Sequence, residues 1–355
     1  MHRYSLEALL QQQIELNGAI AQSIFDTTSI KEITALLNGY SRQQFEQEIT
    51  ACSFAYLSVG ATFIVHLSNK QQIVLKAYGD RYQLSNLRTS FQVQQSLAQQ
   101  GFPCPAVLAR PQQIGRTTLT AQGFHPDPYT QAITSECSTD ERVRLHLPSV
   151  AHIRQTMAQH LAMLIRQCKH YPSQGLTEWM ELEAPGLWHT PHNVLFDFEK
   201  TKQGAEWIDE IAYRAKQVLL AARGPIVIGH SDWSLQNMSF AGKKLACVYD
   251  WDSLRVGLEP CFVGGAARVY RHDWRIGPPK PVISVTEMED FISAYEIARA
   301  QPFTGEEHQV IGAAIVYTAA YGVRCAHAVR ALNNTHSESA EKQLLKLMSC
   351  FLTGS

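Results

Sequence analysis

The sequence predicts an α+β chain in two parts: a small antiparallel sheet with a helical extension before it, and a larger, mainly helical part after it. Three observations predict this. Residues 54–78, "FAYLSVGATFIVHLSNKQQIVLKAY", are β-branched and aromatic with a turn at Ser68-Asn69, the pattern of short paired strands. The segments flanking that stretch, and most of the chain after residue 150, repeat apolar residues at helical spacing. The length, 355 residues, exceeds one ordinary core and favours two compact units.

Composition narrows the function classes. With 45% hydrophobic and 18% charged residues, the balance is that of a soluble globular protein. Thirty-one Lys and Arg nearly cancel 32 Asp and Glu. No basic stripe is present to neutralise a phosphate backbone, so a nucleic-acid partner is not expected. The start of the chain carries Glu7, Gln11, Gln12, Gln13 and Glu15 where a signal peptide would need an apolar core, and the expected location is cytoplasmic. The longest nearly apolar stretch, Gly312 to Val323, is too short to span a bilayer and reads as a buried helix, so no membrane partner is expected. Eight cysteines, with no Cys-x-x-Cys pair, read as reduced core thiols.

The elements follow in order. Residues 5–48 are helical, with Leu6, Leu9, Leu10 and Ile14 on one face, then a second segment from Ile30 to Leu37 closed by Asn38-Gly39. The expected division is a helical extension over 1–50, a sheet lobe over 51–122 and a helical lobe over 123–355. Within the sheet lobe, a helix over residues 86–100 is stopped by Gly101 and by Pro103 and Pro105, and strands return over 106–123. The stretch from Phe124 to Pro148, with prolines at 126, 128 and 148, reads as an irregular connection. Helices are expected over 151–167 and 205–223, and the capping boxes Thr286-x-x-Glu289 and Thr304-x-x-Glu307 each open another.

The chemistry concentrates in "PIVIGHSDWSLQNMSFAGKKLACVYDWD", residues 225–252. A short apolar run delivers "HSDWSLQN" as a loop. A hairpin turning at Ala241-Gly242-Lys243 then leads to Asp250, so Asn237 entering it and Asp250 leaving it are expected to finish close together. One amide oxygen and one carboxylate, with positions left for water and phosphate, suit Mg²⁺. A further carboxylate, Asp232, is free to orient a hydroxyl. That set is the equipment for phosphoryl transfer.

These residues carry a family resemblance. The segment resembles the catalytic and metal-binding parts of the aminoglycoside phosphotransferase and choline kinase family, relatives of protein kinases, in its H-x-D-x-x-x-x-N loop and in the Asp-x-Asp of "YDWDS". The resemblance implies a two-lobe protein-kinase-like fold, with ATP or GTP and Mg²⁺ as cofactors and a small-molecule hydroxyl as acceptor. It implies Asp232 as catalytic base, Asn237 and Asp250 as metal ligands, Asp252 as a supporting carboxylate and His230 as a structural residue of the loop. In "QQIVLKAY" it implies Lys76 on the α and β phosphates and Val74 over the adenine. Gly60 in "LSVGAT" falls at the family's phosphate-covering turn, where Ser58 or Thr62 adds donors, although a plain hairpin turn reads the same way.

The sequence departs from the family at one point. Its lysine is normally held by a helix glutamate, yet no acidic residue lies between Asp80 and Asp127. Gln92, Gln94 or Gln95, or Glu46 or Glu48 from the extension, are the alternatives. The likeness extends loosely to a bacterial subgroup of phosphotransferase-like proteins through "AAYGVRCAHAVR", where Tyr321, Arg324 and His327 form one helical stripe, either packing or walling an acceptor pocket. Two other readings stand beside the kinase. One is a nucleotide-binding, kinase-like protein without turnover that acts through partners. The other is a His-Asp metal pair in "RHD" at 271–273, which lacks the further ligands it needs. Acceptor identity and oligomeric state are not legible in the sequence.

Overall fold

The computed structural model describes residues 3–125, 148–273, 282–333 and 338–352. The expected proline-rich connection falls almost wholly outside these residues. Two compact units form, one of Met1–His146 with Ser239–Ala241 and Ala246–Asp252, the other of Leu147–Met238, Gly242–Leu245 and Ser253–Ser355.

In the first unit, helices α1 (Leu6–Phe25) and α2 (Ile30–Phe45) precede strands β1 (Ile49–Leu57), β2 (Ala61–Leu67) and β3 (Gln72–Tyr78); helix α3 (Leu84–Gln99) and strands β4 (Val107–Ile114) and β5 (Thr117–Gly123) follow. The strands form one antiparallel sheet in the order β1-β2-β3-β5-β4. Along β3, Ile73, Leu75 and Ala77 are fully buried on one face, as period-two alternation requires. Pro111 lies in edge strand β4, where the pairing with β5 slips between Ala109 and Gln112; an edge bulge tolerates a residue with no N–H to donate.

Both N-terminal helices belong to this unit. The Leu57 amide donates to Gln13 at 3.1 Å, and the Thr117 hydroxyl donates to the Ile24 carbonyl at 2.9 Å. Helix α2 runs through Asn38-Gly39, where the sequence predicted its end. Asn38 explains the difference: its amide donates to the Thr34 carbonyl at 3.2 Å and its oxygen accepts from the Ile49 amide at 3.1 Å. The side chain thus ties the helix to β1 instead of capping it. The helix ends instead at Glu46, which takes left-handed φ of 57°.

In the second unit, α4 (Val150–Cys168) and α5 (Glu206–Ala221) precede β6 (Ile226–His230), which pairs antiparallel with β9 (Leu254–Leu258). Between them in the chain, β7 (Met238–Ala241) and β8 (Lys244–Val248) form the expected hairpin, most of whose residues belong to the first unit, with Gly242 at φ 59°. Helices α6 (Glu259–Val269), α7 (Val285–Arg299), α8 (Gly305–Asn333) and α9 (Glu338–Phe351) complete it. The centre of α8, Ala313 to Tyr317, is fully buried, as the apolar run predicted. Among the described residues, no helix is long and apolar enough to cross a membrane. Seven described cysteines are free thiols, five of them buried; Cys137 lies outside the described residues.

Helix α7 corrects one cap. The sequence offered Thr286-x-x-Glu289, but the box that forms is Ser284 with Glu287, two residues earlier. Buried Ile283 and Met288 flank that register at the positions of a hydrophobic staple. The second box forms as expected: the Thr304 amide donates to Glu307 at 2.8 Å and the Glu307 amide to the Thr304 hydroxyl at 3.2 Å.

Candidate active site

Lys76 sits mid-strand on β3, in register with Thr62 of β2 and Thr120 of β5. Its residue is only 9% exposed, and an ammonium so placed needs counter-charge. Nζ donates to Asp250 Oδ1 and to Asp252 Oδ1, each at 2.5 Å. The Tyr78 hydroxyl, two residues along the same strand face, donates to Asp252 Oδ1 at 3.0 Å. Burial alone would lower the Lys76 ammonium, but the charges of Asp250 and Asp252 outweigh it and hold the group well above its usual range. Tyr78 is pushed up in turn, first by burial and then by Asp252.

The two carboxylates differ. Asp252 is 5% exposed. The Asp250 side chain is 33% exposed, and its backbone takes left-handed φ of 65°, uncommon for a residue other than glycine and costly unless the surroundings impose it. Trp251 between them is fully buried, its indole N–H donating to the Val248 carbonyl at 2.8 Å and its ring edge-on to Phe102 at 5.7 Å. The segment is therefore pinned on both sides of Asp250.

Val74 shares the face of Lys76 and is partly exposed. Gly60 closes the β1–β2 turn, where a Cβ would fall 2.9 Å from the Ala77 carbonyl oxygen and 3.3 Å from the Tyr78 ring. This glycine lets the turn approach β3 beside the Lys76 network. Four of the alternatives offered for the lysine are placed elsewhere. Gln94 donates to the Pro105 carbonyl at 2.8 Å, Gln92 is exposed, Glu46 caps α2 and Glu48 pairs with Arg42 at 2.8 Å.

The second set stands in the other unit. His230 ends β6 opposite Leu254, and the Ser231 amide continues the pairing to the Ser253 carbonyl at 2.9 Å. Gly229 is required here, because a Cβ would fall 2.5 Å from the Phe262 ring. His230 is buried, edge-on to Trp233 at 5.6 Å, and the Trp233 indole donates to the Met157 carbonyl at 3.0 Å. Between these anchors Asp232 is partly exposed, with its carboxylate aimed by three side chains. Ser234 donates to Oδ1 at 3.0 Å, and Gln236 and Asn237 to Oδ2 at 3.2 and 2.8 Å. The Asn237 amide nitrogen also reaches the Asp232 carbonyl at 2.9 Å, which leaves its Oδ1 as the atom able to face a cation.

Sequence reading missed several of these residues. Tyr78 was detectable from its period-two step after Lys76. Arg268 on α6 gave no local signal. Its guanidinium, lowered to about 10 by burial against the pull of the Asp232 charge, donates from Nε to the Thr318 hydroxyl at 3.0 Å. His272 of "RHD" contributes through its backbone: the Gln236 amide donates to its carbonyl at 3.1 Å, closing the loop after Asp232. The Tyr321 stripe holds the segment before α5: Tyr321 bonds His192 Nδ1 at 2.7 Å, Arg324 donates to the Phe198 carbonyl at 2.5 Å, and His327 meets the Gln203 carbonyl at 3.1 Å.

Asp250 in the first unit and Asn237 in the second each carry an oxygen of the kind that suits a hard cation. Among the described residues no cluster of three or more His, Cys, Asp or Glu is placed to enclose a metal.

Residues 58–278 match the phosphotransferase enzyme family, APH. The chain belongs to this family. No curated protein sequence matches it. Among solved structures it is similar to amicoumacin kinase hAmiN in complex with AMP-PNP, Ca²⁺ and Ami, with a TM-score of 0.59 and 12% identity over 90% of this chain and 94% of that one. A choline/ethanolamine kinase family protein from Mesorhizobium loti gives 0.51 and 12% identity over 96% and 95%. A thermostable mutant of aminoglycoside phosphotransferase APH(4)-Ia, in ternary complex with AMP-PNP and hygromycin B, gives 0.54 and 10% over 90% and 99%. At these identities the likeness is one of fold, the kinase-like fold of small-molecule phosphotransferases.

Proposed function

We propose that this phosphotransferase moves the γ-phosphoryl group of ATP or GTP to a hydroxyl of a small molecule. The observation that carries the reading is the buried Lys76 ammonium held between the carboxylates of Asp250 and Asp252. A mid-strand lysine desolvated and kept charged in this way suits phosphate oxygens. Lys76 takes α and β phosphate oxygens, Val74 lies against the adenine, and the turn at Gly60 covers the phosphates. Asp250 and Asn237 would be the protein ligands of Mg²⁺. When bound, that ion neutralises the charge of the transferring group.

Asp232 orients the acceptor hydroxyl and accepts its proton as the oxygen attacks. The donors from Ser234, Gln236 and Asn237 fix its direction in advance, so little reorganisation is required in the transition state. His230 holds the loop from below and touches no substrate. AMP-PNP in the amicoumacin kinase and APH(4)-Ia complexes supports the choice of nucleotide, and hygromycin B in the second supports a small molecule as acceptor.

Calorimetry with ATP and GTP, with and without Mg²⁺, tests the reading. The wild type should bind at least one nucleotide in a metal-dependent way and Asp250→Ala should lose that dependence. Asp232→Asn should bind nucleotide normally but turn over about a hundredfold more slowly or worse, the usual loss when a general base is removed. Failure of the wild type to bind either nucleotide would overturn the proposal. Binding without turnover on any hydroxyl compound would favour a kinase-like protein that works through partners.

A further inference from the structure

Lys76 has two carboxylate partners where one would neutralise it, and the two stand in different surroundings. Asp252 is 5% exposed and its Oδ1 accepts from both Lys76 and the Tyr78 hydroxyl. Tyr78 is itself confined, with the Tyr82 ring 4.8 Å away and no room for a Cβ at Gly60, where one would fall 3.3 Å from the Tyr78 ring. Asp250 has one-third of its side chain exposed. Losing a partner costs a buried charge far more than an exposed one, so Asp250 is the partner that can leave.

We propose that Asp252, braced by Tyr78, is the fixed anchor of Lys76, and that Asp250 is its exchangeable partner, released when nucleotide and metal arrive. This rests on the nucleotide site described above for the exchange, though the anchor itself stands on the geometry alone. Asp252 is a positioning residue: it acts through the lysine. Before nucleotide binds, Lys76 and Asp250 neutralise each other, which keeps the lysine aimed and the carboxylate from an unpaired charge. On binding, the phosphates take over the second position on Lys76 while Asp252 keeps the first.

The test is the pH profile of acylation of Lys76 in the nucleotide-free protein, followed by mass spectrometry of its peptide, beside calorimetry with ATP at several Mg²⁺ concentrations. Asp252→Asn should raise acylation at a given pH about tenfold or more, the effect of a one-unit fall in the lysine pKa. Asp250→Asn should raise it less, because Asp252 and Tyr78 remain. In calorimetry, Asp252→Asn should weaken ATP binding while its Mg²⁺ dependence persists, whereas Asp250→Asn should lose that dependence. Asp252→Glu should restore the wild-type acylation profile. If Asp252→Asn does not fold, Tyr78→Phe carries the test, with a smaller rise in acylation expected. Acylation unchanged in Asp252→Asn, or raised more in Asp250→Asn, would overturn the anchor. If the wild type fails to bind nucleotide, the exchange falls with the proposed function, and the acylation profiles still decide the anchor.

Discussion

Gly60 shows how a single missing carbon shapes the site. Its φ is not left-handed; what requires glycine is the 2.9 Å that would separate a Cβ from the Ala77 carbonyl oxygen, a backbone atom that cannot swing aside. Gly60→Ala should therefore cost about 1–3 kcal/mol, the usual range for overpacking, measured by urea unfolding, and should weaken nucleotide binding by displacing the turn. A loss below half a kcal/mol would mean the turn relaxes freely. At this scale the sequence was partly readable. Spacing singled out Asp232, Asn237 and Asp250 as candidates, and the family resemblance singled out Lys76. That Asp250 and Asp252 would hold Lys76 was not readable, because they lie 174 and 176 residues away and no local pattern marks a contact formed by folding.

Helix ends and strand pairings carry the next level. "ISVTEMED" contains two overlapping boxes, Ser284 with Glu287 and Thr286 with Glu289, and local chemistry alone cannot choose between them. Burial of Ile283 and Met288 does. Ser284→Ala should lower stability by about 1 kcal/mol, while the exposed Thr286→Ala should change it by less than about half that; equal effects in thermal melts would contradict the assigned register. Glu287 also pairs with Arg271, next to the His272 carbonyl that closes the Asp232 loop, so the cap of α7 helps brace the site. Strand β9 went unread for a related reason. "LRVGL" is five residues without a turn signal of its own, and it becomes a strand only by pairing with β6, which fixes His230 opposite Leu254.

Over the whole chain, the order of a sheet and then helices was legible from periodicity, and the order of elements agrees with it. The role of the segment between α4 and α5 was not, since its hold on α8 depends on contacts over more than a hundred residues, such as His192 with Tyr321. That segment gives the molecule an acid sensitivity. His189 stacks on Tyr321 at 4.7 Å, and burial, then the positive charges of His192, Arg255 and Lys216, push its imidazole down to about 4. The unfolded chain takes up this proton near the ordinary value of 6.5 and the folded chain only near about 4. The contribution of His189 to stability is therefore complete above the first value and is lost as pH falls toward the second. Stability measured by denaturant between those values should decline with acid in the wild type and decline less in His189→Gln. Identical slopes would place the sensitivity elsewhere.

The tryptophan between Asp250 and Asp252 has an optical consequence. Trp251 is rigidly held in an apolar setting, with its indole N–H bonded and its ring against Phe102. An indole so placed emits at shorter wavelength than one in water and responds to the electric field of charges beside it. Under the proposed exchange, one flanking carboxylate trades its lysine for a cation, and that field changes. If the proposed site takes nucleotide, Trp251 fluorescence should report it, a signal that Trp251→Phe would remove while Trp233, next to Asp232, continued to emit.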